Sequence, residues 1–222
     1  MKTALYFAPA LVITIFFLIR AEILGKKNQI YILKPLSTLL IIVAALVSFQ
    51  EPTRNMTYSI GILAGLVFSL GGDIALMFQE KRKPFMIGLG FFLVGHIFYS
   101  VVFFILGHFS AWDILTTLLL LPAALGFYKL IQPNLGSMNI PVIGYILIIT
   151  LMVSRALSTL VSPIIHLQQA LMIVFGALLF YISDLILAAN LFWRPWKYHR
   201  ISLVFYFGGQ FLLALAASYF GG

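Results

Sequence analysis

Long apolar runs separated by short polar connections set the pattern of this chain. Eight runs are expected to be helices, over 3–20, 34–49, 58–79, 84–106, 112–131, 139–157, 167–192 and 200–220. Runs of about 20 apolar residues are long enough to cross the hydrocarbon of a bilayer as helices. Helices also satisfy their own backbone polar groups, which lipid requires. The connections, among them EPTRNMT, EKRK and RPWKYH, are brief, so consecutive helices are expected to be antiparallel neighbours in one bundle. No long linker or low-complexity stretch divides the chain. The expectation is an all-α, polytopic membrane bundle of eight transmembrane helices, forming a single transmembrane helical domain over residues 1–222.

Composition agrees with that class. With 62% hydrophobic and 9% charged residues and a mean hydropathy of +1.08, no soluble domain of this length could cover its surface with polar groups. The chain has no cysteine, which excludes disulfides, thiolate metal sites and cysteine nucleophiles. Lys2 and the apolar stretch after it lack a small-x-small cleavage site before Arg20, so this segment is read as a retained first helix.

The +8 net charge is a signal of topology. Arg20, Lys26, Lys27, Lys34, Lys81, Arg82, Lys83, Lys129, Arg194, Lys197 and Arg200 fall on one side of the eight-span arrangement; Lys2, Arg54 and Arg155 fall on the other. The positive-inside rule places the first set in the cytoplasm and both termini outside, in a setting expected to be a bacterial cytoplasmic membrane. The basic residues are scattered through short loops, which argues against nucleic acid as a partner.

Six residues are acidic, and two of these stand inside apolar helices: Asp73 in GILAGLVFSLGGDIALMF and Asp184 in IVFGALLFYISDLILAANLF. A carboxylate in a spanning helix is costly and normally faces a bundle interior or a wet cavity. Counted from the flanking basic residues, Asp73 lies about 12 Å deep, Asp184 and Gln210 about 15 Å, and His96 about 20 Å. Lys34 and Asn190 stand at the rim on the same side. One polar cavity opening to the cytoplasm is the simplest arrangement, with Phe68, Phe92, Phe180 and Tyr181 around it. Ser69 shares a helix face with Asp73 at i, i+4, and Tyr99 shares one with His96 at i, i+3. His96 and Tyr99 either serve such a site or hold the helices together through hydrogen bonds.

A faint internal repeat accompanies the two aspartates. Aligning Asp73 with Asp184, 111 positions apart, superimposes Gly65 on Gly176 and Leu76 on Leu187. Lys34-Pro35 to Val47-Ser48 resembles Ile140-Pro141 to Val153-Ser154. Four helices per half would make a parallel 4+4 pseudo-repeat.

Five segments, taken in order, resemble the YhhN-like lysoplasmalogenase family of membrane proteins: KPLSTLL at 34–40, SLGGDIALMF at 69–78, FFLVGHIFY at 91–99, GALLFYISDLILAANLF at 176–192 and YFGGQFLLALAAS at 206–218. The resemblance implies an eight-helix enzyme that hydrolyses the vinyl ether bond of lysoplasmalogens to a fatty aldehyde and a glycerophospho-head group; no cofactor or metal is expected. A lysophospholipid within membrane lipid would be its substrate.

The residues suit that chemistry. Vinyl ether hydrolysis needs a proton delivered to carbon and a water to attack the resulting oxocarbenium-like species. Two carboxyl groups in different surroundings can divide those roles as acid and base. Asp73 and Asp184 are the expected pair, with the donor left open. Lys34 either meets the lipid phosphate or snorkels to the interface; Asn190, Gln210, His96, Tyr99 and Ser69 would support water or glycerol hydroxyl.

Other classes fit less well. An intramembrane aspartyl protease motif would need glycine where Leu70 stands and tyrosine where Ser183 stands. Neither HExxH, GxSxG nor a P-loop occurs, and His96, His108, His166 and His199 are dispersed. A proton-coupled transporter is the non-enzyme alternative; Arg155 is the one residue that could extend a polar path outward.

Overall fold

A computed structural model describes residues 2–52 and 54–220. After a 3-10 turn over Thr3–Phe7, its helices are α1 (Ala8–Ile23), α2 (Lys27–Val47), α3 (Met56–Leu76), α4 (Arg82–Leu106), α5 (Ala111–Ile131), α6 (Asn139–Leu157), α7 (Leu167–Phe192) and α8 (Ile201–Ala216). Counted with their flanking 3-10 turns, all eight are long and apolar enough to cross a membrane. Each carries large apolar side chains exposed on its outer face, such as Phe16 on α1, Phe104 on α4 and Leu118 on α5. The protein is a multi-pass integral membrane protein, all-helical as its hydropathy pattern requires.

Contacts between connections fix how the helices run. Lys2 pairs with Glu51 at 3.1 Å and lies 5.7 Å from the ring of Tyr219. The first described residues, the α2–α3 connection and the last turn therefore share one end of the bundle. At the other end, Lys27 pairs with Glu80 at 3.4 Å, and Arg200 donates from Nη2 to the Glu22 carbonyl at 3.3 Å. Successive helices thus run up and down, with the most basic connections gathered at the second end.

Two helix boundaries differ from expectation and matter for the site. α2 begins at Lys27, seven residues before the expected start at Lys34. Proline favours the first turn of a helix, which is why Pro35 reads as a start, but it costs a buried helix one hydrogen bond and a kink that neighbouring helices can absorb. Lys34 consequently stands about 10 Å into α2 instead of at its rim. α3 ends at Leu76, not at Gln79, so Asp73 lies three residues, about 4.5 Å, from the helix end. Its depth counted from Lys81 included a turn that is not helical.

Close packing of α3 on α4 and of α7 on α8 forms the centre of the bundle. Small residues allow it, as is common where helices meet in lipid. A Cβ on Gly65 would lie 2.1 Å from the Tyr99 ring, and one on Gly176 would lie 2.9 Å from the Gly209 carbonyl.

The pairing of helices follows the repeat. α1·α2 corresponds to α5·α6, α2·α3 to α6·α7, α3·α4 to α7·α8, and α2·α8 to α6·α4, and all eight pairs are in contact. The register is 111 positions in the connections too. Ser48 donates to the Ala45 carbonyl and Thr159 to the Ala156 carbonyl, each at 2.6 Å; Asn55 and His166 are the N-caps of α3 and α7. The counterpart of Lys34 is therefore Tyr145, not Ile140.

Candidate active site

A cavity of about 170 Å³, lined by side chains from each of α1 to α8, runs to the basic end of the bundle. Its polar wall holds Lys34, Asp73, Tyr145, Ser183, Asp184 and Tyr206, and its rim holds Glu22, Gln79, His199 and Arg200. Apart from Ser202 and Tyr181 the rest is apolar, with Phe92 from α4, Phe127 and Ile131 from α5, and Val142, Ile146 and Ile149 from α6.

Asp73 is 1% exposed and is held by α2 and α8. Its Oδ2 accepts from the Thr38 hydroxyl at 2.5 Å and from the Tyr206 hydroxyl at 2.7 Å. Its Oδ1 faces the Lys34 ammonium at 3.6 Å. A buried carboxylate is tolerable when it has a counter-ion and hydrogen-bond donors; Asp73 has the ammonium facing Oδ1 and two hydroxyl donors on Oδ2. Seating Lys34 inside α2 is what allows this: Lys34 and Thr38 are one turn apart on the same face.

Asp184 lines the same cavity, with a different shell. Its Oδ2 accepts from the Tyr145 hydroxyl. Among the described residues it pairs with no cation, all four ion pairs being made elsewhere.

The other sequence candidates lie off the cavity wall. Ser69 is buried where α3 meets Gly95 of α4, and Tyr99 fills the notch at Gly65. His96 donates from Nδ1 to the Phe92 carbonyl at 2.6 Å, and its ring packs edge-on to Phe180 and Tyr145 at 4.6 and 5.3 Å. Among the described residues its Nε2 is buried without a hydrogen-bond partner, as is the whole side-chain amide of Gln210. Asn190 accepts from the Trp196 backbone N–H at 2.9 Å and so shapes the α7–α8 connection. Of the aromatic ring expected around the cavity, Phe92 and Tyr181 line it. Phe68 instead stacks on Phe98 and packs at a tilt against Phe91, and Phe180 is fully buried.

Three partners escaped sequence reasoning: Thr38, Tyr145 and Tyr206. Tyr145 carried a usable signal, since it precedes Asp184 by the 39 positions that separate Lys34 from Asp73. Tyr206 is one turn before Gln210, on the same face of α8.

Arg155, at the far end of the bundle, is bound to Asp113 at 2.6 Å. The other Asp113 oxygen accepts from the Ser110 N–H at 2.7 Å in the capping box that starts α5. Among the described residues no group of three or more His, Asp or Glu side chains gathers as a metal site would.

Comparison with known proteins adds a family to this geometry. Lysoplasmalogenase TMEM86A of Bos taurus is 35% identical over 159 residues, covering 70% of this chain and 64% of the relative. The protein of the same name from Homo sapiens is 35% identical over 164 residues, with the same coverage. The chain thus spans a little under two thirds of the length of these relatives. No solved structure matches it significantly. The model of the YhhN family matches residues 29–217, a stretch that contains both aspartates and every side chain bonded to them, and the chain belongs to that family.

Proposed function

We propose that this protein is a membrane hydrolase acting, as one transmembrane domain, on the vinyl ether bond of lysoplasmalogens, with Asp184 as general acid and Asp73 as general base. The observation that carries the reading is the pair of carboxyl groups on one cavity, one with a counter-ion and one without. The relatives named lysoplasmalogenase support the substrate class. The apolar wall of α4, α5 and α6 suits an alkenyl chain, each buried methylene contributing about 0.8 kcal/mol.

The steps balance over one water. Asp184, hydrogen-bonded by a neutral phenol, starts protonated and gives its proton to the outer alkenyl carbon. The carbon bearing the ether oxygen becomes oxocarbenium-like, and the Asp73 carboxylate stabilises that charge. Water adds to this carbon and passes a proton to Asp73, giving a hemiacetal. Collapse returns the hemiacetal hydroxyl proton to Asp184, while Asp73 protonates the departing glyceryl oxygen. Aldehyde and glycerophospho-head group leave, and both aspartates are back in their starting states. Lys34 keeps Asp73 charged, and Thr38 and Tyr206 aim it.

By the positive-inside rule the mouth faces the cytoplasm and both termini lie outside. A C-terminal reporter active only in the cytoplasm would reverse that placement. The transporter alternative needs a route to the far side, and the ion pair of Arg155 with Asp113 weighs against one. The test is purified protein in detergent with alkenyl and ester lysophospholipids, following aldehyde release. Aldehyde from the alkenyl lipid is expected. Turnover of both would widen the reading to a general lysolipid hydrolase, and solute uptake into proteoliposomes without lipid turnover would replace it with transport.

A further inference from the structure

The rim of the cavity carries opposite charges that the chemistry above leaves unused. Glu22 stands on the last turn of α1 and Arg200 is the N-cap of α8; both line the cavity. They are neighbours, since Arg200 Nη2 donates to the Glu22 backbone carbonyl at 3.3 Å. The Glu22 carboxylate accepts no hydrogen bond and joins no ion pair among the described residues. Among the same residues Arg200 likewise joins no ion pair, and its Nε–H is buried without an acceptor. Helix ends add to each charge: the negative end of α1 lies with Glu22 and the positive end of α8 with Arg200.

We propose that this rim is a reader of zwitterionic head groups, with Arg200 binding the phosphate and Glu22 the ammonium two carbons beyond it. The assignment rests on the hydrolase reading for the identity of the lipid. It replaces Lys34 as the phosphate contact for a physical reason. The Lys34 ammonium is the counter-ion of Asp73 at 3.6 Å, and a phosphate drawing it away would leave a buried carboxylate unpaired. A guanidinium also has five N–H donors in a fork matched to phosphate oxygens, and Arg200 spends one on the Glu22 carbonyl. Placing phosphate and ammonium at the rim directs the glycerol and its vinyl ether inward toward Asp73 and Asp184. The site therefore selects phosphoethanolamine and phosphocholine lysolipids over anionic phosphate monoesters and over headless ethers.

Binding of saturated 1-O-alkyl lipids, which have no vinyl ether to cleave, tests this independently of catalysis. Three are titrated into the detergent-solubilised protein: the glycerophosphoethanolamine, the glycerol 3-phosphate and the headless glycerol ether. The wild type should bind them in that order of falling affinity. Arg200→Gln should weaken both phosphate lipids by about tenfold or more, the scale of a charge-assisted pair, and leave the headless ether unchanged; Arg200→Lys should recover part of the loss. Glu22→Gln should weaken the phosphoethanolamine lipid several-fold and leave the phosphate monoester as tight or tighter. Lys34→Met should preserve the ratio between phosphate and headless lipids. Equal weakening of all three lipids by Arg200→Gln would reduce Arg200 to a structural tie, and unchanged binding in either rim variant would remove that arm of the site. If the expected pattern holds but no aldehyde is released from alkenyl lipid, the hydrolase reading fails and the rim stands. Aldehyde release with no discrimination among the three lipids sinks the rim alone.

Discussion

Asp73 and Asp184 occupy equivalent places in the two halves of the bundle, and each is met by a side chain 39 positions earlier on the preceding helix. In the first half that side chain is Lys34, and in the second it is Tyr145. The same framework thus gives one carboxyl a full positive charge and the other a neutral hydrogen bond. Asp73 also receives Thr38 and Tyr206, whereas the position matching Thr38 is Ile149, an apolar residue of the cavity wall. Near-symmetry places two carboxyls on one cavity, and its local failure gives them the different surroundings that the proposed acid and base roles require. Acid–base pairs need that separation, because identical surroundings would give both groups the same preference for a proton.

The strongest way to break the comparison is to neutralise each carboxyl in turn. Asp184→Asn and Asp73→Asn should each lower aldehyde release by about 10²–10⁴-fold, the range of a general acid or base, while expression and folding persist. A folded Asp73→Asn protein with full activity would remove the base from the mechanism.

The next test contrasts the two partners. Lys34→Met strands the Asp73 carboxylate and should cost about 3 kcal/mol or more of stability, read as a lower Tm in detergent. Lys34→Met with Asp73→Leu removes both charges and should recover most of it. Tyr145→Phe leaves Asp184 without its donor and should cost about 1–2 kcal/mol. Equal losses from Lys34→Met and Tyr145→Phe would show that the two shells are electrostatically alike.

The smallest effect belongs to Gly144→Ala, beside Tyr145 on α6. A Cβ there meets nothing within 4 Å, so the variant should gain up to about 1 kcal/mol from helix propensity and keep its activity. A loss of activity would mean that the Tyr145→Phe result reports on α6 as a whole and not on the phenol.

How much of this was legible in the sequence depends on the kind of signal. Eight spans follow from run length, because lipid forces an apolar helix to be long. Asp73 and Asp184 stand out because a lone carboxyl in such a run has few innocent explanations. The faces of the helices were harder to read. Ser69, His96, Tyr99 and Gln210 are polar and lie at plausible depths, yet they sit between packed helices and off the cavity. A spanning helix can place a polar group in a wet cavity or in a helix contact, and hydropathy does not distinguish the two. Thr38 and Tyr206 were invisible for the opposite reason, being ordinary residues until the fold carries them to a carboxylate. Pro35 misled because proline commonly opens a helix, and that error set Lys34 at the rim when it belongs beside Asp73.

The donors of Asp73 come from helices far apart in the sequence, α2 and α8, which bears on how the protein is made. α2 and α3 can bring Lys34 and Thr38 to Asp73 early in synthesis, and α6 and α7 can bring Tyr145 to Asp184 as soon as both have emerged. Tyr206 arrives only with α8, which packs against α7 and also reaches back to α2 and α3. A chain stalled before α8 would carry both carboxyls yet leave Asp73 short of a donor and the cavity short of the helix that bears Arg200. Insertion of α8 is therefore the step that joins the two inserted halves around one cavity.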